Sequence, residues 1–146
     1  MSTPGCGWRR RCAVGVAALT AVITVMTACG RSSERGWLAS DDSRVIYATW
    51  TDRNGSLIGD GRMLELVEGI PDPYTVTDQL LRVGGTKRGA TIDLSVGIGA
   101  TEVRWTGRVK GDTVRLSIPG PAGVQTYDFR RASAKAYKEA ANELRQ

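Results

Sequence analysis

The sequence predicts an all-β protein, either an antiparallel meander or an up-and-down β-barrel of about six to eight strands, with a C-terminal α-helix. Three observations predict this fold. Apolar and polar residues alternate through most of the chain after residue 36, turn signals recur about every ten residues, and the alternation changes to helical spacing near the C-terminus. No βαβ alternation and no internal repeat is present, so a parallel sheet or a solenoid is not expected.

The first part of the meander is predicted to contain a hairpin. After Trp37-Leu38 the alternation predicts strands over residues 43–51 and 56–68. Asn54-Gly55 predicts the turn between the two longer strands, because this turn requires positive φ at both central positions. Glycines between residues 59 and 61 predict a bend or a bulge in the second of these strands.

The middle of the chain continues the alternation. A looser strand over residues 76–83 is predicted to connect, through the glycine-rich segment 84–89, to a strand over residues 90–98. In residues 102–110 the odd positions are apolar or glycine and the even positions are polar, which predicts one core face and one solvated face. Gly111-Asp112 then predicts a tight turn into a strand over residues 113–118.

The last part of the domain combines a strand and a helix. A loop rich in proline and glycine precedes a strand over residues 124–130, in which Tyr127 and Phe129 are predicted to face inward. Ser133 is a natural N-cap, and apolar residues after it recur at helical spacing up to Leu144. These features predict an amphipathic helix at about residues 133–145 that packs on the sheet.

The first 28 residues have the pattern of an export signal. Three arginines at positions 9–11 precede residues 12–28, which carry no charge and end in small residues. This run is too short to be a comfortable bilayer span. General secretion is the default interpretation, and the arginines leave twin-arginine export open. The predicted organisation is a signal peptide over 1–28, a tether over 29–36 and the β-domain over 37–146.

A cysteine follows the apolar run in a recognisable context. Met26-Thr27-Ala28-Cys29 resembles a bacterial lipobox, with methionine where leucine is most common. The resemblance implies that the signal is cut between Ala28 and Cys29 and that Cys29 carries a lipid anchor containing palmitate-type chains. The protein is then expected at the extracytoplasmic face of the cell membrane. A plain secretory signal and a retained N-terminal membrane helix are the alternatives.

Removal of the signal would change what the composition implies. The 146 residues include 20 Lys plus Arg, 15 Asp plus Glu and three Cys, for a net charge of +5. Cleavage would remove three arginines, Cys6 and Cys12, which leaves 17 basic and 15 acidic side chains. The basic character therefore belongs mainly to the signal, and no nucleic-acid partner is expected. With Cys29 acylated, the domain would have no disulfide.

The absence of histidine restricts the chemistry. It excludes Ser-His-Asp and Cys-His couples, His-ligated metal sites and the usual general base near neutral pH. Paired carboxylates remain available, but most acidic residues fall on turns or outward strand positions. We expect no cofactor, no metal and no enzyme activity, and predict a binding or envelope-structural role. A lipocalin-like carrier of a small apolar ligand is the alternative, and a carboxylate-based hydrolase is the second.

Two groups of side chains are candidate contact sites. Trp50 and Trp105 could line a cavity for an apolar ligand, since small barrels can hold one, or they could fill the core. A second group of basic side chains shares the polar face of the hairpin over residues 102–118 and could meet an anionic surface, or could form an ordinary solvated face. Its members are Arg104, Arg108, Lys110 and Arg115.

Several short motifs occur in an order typical of one group of proteins. They are Trp37-Leu38-Ala39-Ser40, Tyr47, Trp50-Thr51, Gly55, Trp105-Thr106-Gly107, Gly111-Asp112, Leu116-Ser117-Ile118-Pro119, Phe129-Arg130-Arg131-Ala132-Ser133, Tyr137 and Leu144-Arg145. In this order the chain resembles small secreted lipoproteins of actinobacteria. The resemblance covers nearly all of the domain, with residues 68–88 departing most. It implies a fold and a compartment, and no catalytic residue.

Overall fold

The computed structural model describes residues 35–69 and 75–146. The predicted export signal, Ala28, Cys29 and most of the tether lie outside these residues. The described elements, in chain order, are β1 (Gly36–Ser40), β2 (Arg44–Arg53), β3 (Ser56–Val67), β4 (Thr75–Arg88), β5 (Thr91–Ile98), β6 (Thr101–Lys110), β7 (Thr113–Gly120), β8 (Gly123–Ala132) and α1 (Ala134–Leu144).

The eight strands form a closed antiparallel barrel. Each strand pairs with the next one in the sequence, and β1 also pairs with β8, where Leu38 lies opposite Arg130. Closure leaves the sheet without an unpaired edge, which removes the main aggregation hazard of a β-protein. The predicted up-and-down barrel with a C-terminal helix is therefore confirmed.

The barrel interior is filled by the inward-facing side chains. Trp105 and Phe129 lie in its centre, 1% and 0% exposed, with their ring centroids 6.3 Å apart. Leu94, Leu116 and Ile46 surround them and are fully buried. The alternation predicted for residues 102–110 is confirmed, because Trp105 is buried while its neighbours Arg104 and Thr106 are exposed.

The helix α1 packs on the outer wall of the barrel. It begins after Ser133, whose Oγ accepts a hydrogen bond from the backbone N–H of Ala136 at 3.3 Å, as expected of an N-cap. Tyr137 stacks on Tyr47 of β2 with ring centroids 5.6 Å apart, and Leu64 of β3 is buried in the same contact. Among the described residues, no helix combines the length and apolar character that crossing a bilayer requires.

Two predictions about glycines require correction. The segment 84–89, predicted as a connection, mostly belongs to β4, since Gly85 pairs with Leu94 and the strand continues to Arg88. A Cβ on Gly85 would collide with the carbonyl oxygen of Asp93, so this glycine permits a close approach of two strands. The turn itself lies one residue further on, at Gly89, where φ is +58°.

The bulge, one of the two features expected in β3, is not present. Its pairing with β2 runs without a skipped residue from Arg53↔Ser56 to Arg44↔Glu65. At Gly59 a Cβ would collide with the carbonyl of Thr49, so the missing side chain again serves close strand packing. The turn before β3 is confirmed, because Asn54 and Gly55 have φ of +54° and +85°.

Candidate functional site

The two ends of the barrel are formed by different turns and strand ends. We define the proximal end by the start of β1, the end of β8 and the turns that follow β2, β4 and β6. The distal end holds the turns that follow β1, β5 and β7 and the connection after β3. Inward-facing side chains line a cavity at each end, and these side chains are the candidate site residues. Two larger clefts, of about 430 and 460 Å³, lie beside Asp41 at the distal end, against α1 and β8.

The proximal cavity has a volume of about 350 Å³ and an aromatic wall. Trp37 and Trp50 stack there with ring centroids 5.5 Å apart and an angle of 15° between their planes. Both side chains face the inside of the barrel. Trp50 lies near the end of β2 and is half-buried. The full lining is Trp37, Trp50, Asp52, Leu57, Lys87, Ile92, Val109, Gly111 and Arg131.

Charged groups surround the mouth of the proximal cavity. The guanidinium carbon of Arg131 lies 3.9 Å from the ring centroid of Trp37, which is a cation–π contact. Lys87 Nζ lies 3.3 Å from Asp52 Oδ2. The backbone N–H of Gly55 and the Lys87 ammonium together hold the pKa of Asp52 below its usual value, so this carboxylate is charged near neutral pH. The mouth therefore carries two cations and one anion.

The distal cavity is smaller, at about 210 Å³, and contains an inward-facing ion pair. Arg44 of β2 pairs with Glu65 of β3 through its Nη2, and these side chains are 14% and 25% exposed. Arg44 Nη1 also donates to the hydroxyl of Tyr127 at 3.2 Å, and this hydroxyl donates to Gln125 Oε1 at 2.8 Å. Tyr127 thus connects β8 to the ion pair.

Burial affects the protonation of the distal groups. Burial lowers the pKa of the Arg44 guanidinium, but pairing with Glu65 outweighs it and the pKa rises. Burial raises the pKa of the Tyr127 hydroxyl, which therefore stays protonated near neutral pH. Two buried nitrogens, Arg44 Nε and Trp105 Nε1, have no hydrogen-bond acceptor among the described residues. An unsatisfied buried donor costs about 1–3 kcal/mol.

The structure places the two candidate cavity tryptophans apart. Trp50 lines the proximal cavity and Trp105 the distal one. The reason is that Trp105 and Phe129 fill the middle of the barrel, so the interior is not one continuous chamber. A cavity shared by Trp50 and Trp105 is therefore not formed.

The four basic side chains of the predicted stripe lie on the outer wall, and two of them are neutralised there. Arg104 donates hydrogen bonds to Asp93 of β5 from Nε and Nη2, and Nε lies 2.7 Å from Oδ1. Arg115 donates to Asp128 of β8 in the same way, with Nε 2.6 Å from Oδ1 and Nη2 2.8 Å from Oδ2. The lowered pKa of Asp93 and of Asp128 follows from these hydrogen bonds. Arg108 and Lys110 are exposed, and Lys110 lies at the proximal end.

Three acidic residues that could serve in a carboxylate pair, Asp78, Asp93 and Glu65, are each bound by a cation. Asp78 lies 3.2 Å from Arg62 and 3.8 Å from Arg145 on the side of α1, whereas Asp93 is bound by Arg104 of β6. Glu65 is held by Arg44 in the distal cavity. Within residues 35–69 and 75–146, no three acidic or cysteine side chains gather in a way that could hold a metal ion.

The charged residues inside the two mouths were not predicted from the sequence. Arg44, Glu65, Lys87 and Arg131 all fall on the inward phase of their strands, two or four residues from a buried apolar residue. Each is a charged residue near a strand end, at a position where the alternation would place another inward-facing apolar residue. This break in the alternation is the sequence feature that could have predicted them.

Comparisons of this chain with protein-family models, with curated proteins and with solved structures gave no match.

Proposed function

We propose that the protein is a lipid-anchored, extracytoplasmic binding protein without catalytic activity, and that its ligand site is the proximal cavity. The supporting observation is the stacked Trp37–Trp50 pair beside an aliphatic floor in a cavity of about 350 Å³. Small-molecule sites typically have volumes of roughly 300–1,000 Å³, apolar walls and a few polar groups that orient the ligand.

The lining of the proximal cavity indicates the chemistry of the ligand. Trp50 and Val109 are half-buried and offer apolar surface, whereas Leu57 and Ile92 are each 1% exposed and offer little. Lys87 and Arg131 outnumber Asp52, so the mouth favours a negative or hydrogen-bond-accepting group. A small amphipathic molecule with an apolar body and an anionic head fits both features.

The distal cavity is less suited to this role. It is about 210 Å³ in volume, and its cation, Arg44, is already bound to Glu65 and Tyr127. A ligand deep inside the barrel, as in a lipocalin-like carrier, would have to displace Trp105 or Phe129, which are fully buried. Binding at the proximal end requires no such displacement.

The anchor is proposed from the N-terminal sequence. We expect that labelling cells with radioactive palmitate marks the wild-type protein and not the Cys29→Ala variant, because Cys29 is the cysteine of the lipobox-like motif and its thiol would receive the diacylglyceryl group. Equal label in both proteins would show that Cys29 is not the anchor.

The ligand site is tested by native mass spectrometry of the protein purified from its own host. We expect a bound small molecule whose retention falls about tenfold in Trp50→Ala, since one aromatic contact contributes about 1.4 kcal/mol. Leu80→Ala is the matched control, because Leu80 is an apolar residue 70% exposed on the outer wall. A ligand lost equally from both variants, or no retained molecule at all, would contradict the proposal.

A further inference from the structure

The proximal end of the barrel is cationic. Its three turns, taken as residues 52–57, 87–92 and 109–114, carry Arg53, Lys87, Arg88 and Lys110 against two acids, Asp52 and Asp112. Arg35 and Arg131, where the first strand begins and the last one ends, add to this charge. Arg53, Arg88 and Lys110 are exposed, so these cations are available to a partner outside the barrel.

The distal end has the opposite charge. Among the described residues at or beside its turns, the acids are Asp41, Asp42, Glu65, Glu68 and Glu102, and the cations are Arg44 and Arg82, whose guanidinium donates to Gly99 O. Arg44 is bound to Glu65, so it does not offset the exposed acids. The barrel is therefore polarised along its length, with a basic and an acidic end. An anionic surface would attract the first and repel the second.

The chain enters the barrel at its basic end. Gly36 begins β1 there, and Cys29 lies seven residues earlier in the sequence. Seven residues span at most about 25 Å even when fully extended. An acyl group on Cys29 would thus hold the basic end, and not the acidic one, close to the membrane. The tether position and the charge polarity are independent features that favour the same orientation.

We propose that the proximal end docks onto anionic lipid headgroups of the membrane that holds the anchor, with the proximal cavity opening toward the bilayer. This inference rests on the proposed acylation of Cys29. Basic side chains are attracted to anionic lipid within about a Debye length, which is about 10 Å at 0.1 M salt. Trp50 at the cavity mouth suits the same location, since tryptophan rings prefer the headgroup level of a bilayer.

The two ends of β5 provide a matched pair of reporter positions. Ala90 at the proximal end and Ala100 at the distal end are both exposed, and each follows a turn glycine with φ of +58°. The acylated protein, carrying Ala90→Cys or Ala100→Cys with a fluorescent label, is reconstituted into vesicles with nitroxide-labelled headgroups. With phosphatidylglycerol in the vesicles, we expect quenching at position 90 to exceed that at position 100 by about threefold, and the difference to shrink at 1 M salt, where screening is strong.

Charge reversal tests which end is responsible. Arg53→Glu with Arg88→Glu should abolish the difference in quenching, because it removes cations from two proximal turns. Arg82→Glu with Arg145→Glu is the matched control, since Arg82 donates to Gly99 O at the distal end and Arg145 follows the end of α1. The control should leave the difference intact.

Three outcomes would overturn docking. Equal quenching at both positions while the protein stays on the vesicles would reject the orientation and leave the anchor standing. The same quenching with pure phosphatidylcholine would show that anionic lipid is not the partner, as expected if the basic end binds another anionic envelope polymer. Loss of the protein from the vesicles would reject the acyl anchor and docking together.

Discussion

Replacing Trp105 with alanine is expected to lower the free energy of unfolding by about 3–5 kcal/mol. The side chain is 1% exposed, packs on Phe129 at 6.3 Å and separates the two cavities of the barrel. Its removal deletes the largest fully buried side chain among the described residues. A void remains, because the closed wall cannot move inward to fill it. Urea unfolding followed by far-ultraviolet circular dichroism measures the change without relying on tryptophan emission.

Two further variants show whether the effect comes from filling the centre of the barrel. Trp105→Phe keeps most of the buried aromatic volume and should cost less than the alanine variant. Trp50→Ala removes a half-buried ring at the proximal mouth and should also cost less, because part of that ring already contacts solvent. A loss in Trp105→Ala no greater than in Trp50→Ala would contradict a filled centre.

The wall of the barrel could be predicted because its information is local. In β6 the alternation of Val103, Trp105 and Val109 with charged residues assigns each side chain to a face without any knowledge of the partner strand. Asn54-Gly55 specifies its turn in the same way, since few other dipeptides adopt positive φ twice. Both predictions needed only the periodicity of the chain and the stereochemistry of two residues.

The role of a glycine could not be read from the sequence alone. Gly85 and Gly89 lie four residues apart, yet the first packs against the backbone of β5 and the second forms a turn. Both roles require the absence of a Cβ, so the residue type is the same. What separates them is the position of the neighbouring strand, which is a property of the closed barrel.

The charged side chains at the two cavity mouths could not be predicted from the sequence for a related reason. Arg44 meets Glu65 across 21 residues of sequence and Tyr127 across 83. No local spacing encodes these contacts, because closure of the barrel through the β1–β8 pairing brings Tyr127 to β2. The charge polarity does not depend on closure, because in any antiparallel meander alternate turns along the chain fall at opposite ends.

Replacing Glu65 with leucine is expected to cost about 2–3 kcal/mol, because it leaves the Arg44 guanidinium partly buried without its carboxylate. Arg44 cannot regain full hydration, since its side chain is 14% exposed and its Nε has no acceptor among the described residues. Urea unfolding of Glu65→Leu against the wild type measures this loss.

The double variant Arg44→Met with Glu65→Leu distinguishes a lost ion pair from lost packing. Replacing both charges with apolar side chains removes the desolvation cost of the guanidinium, so most of the stability should return. Tyr127 keeps its hydrogen bond to Gln125, at 2.8 Å, when Arg44 is absent. If the double variant is instead as unstable as the sum of the two single variants, the two side chains are not coupled and the distal mouth is held by packing alone.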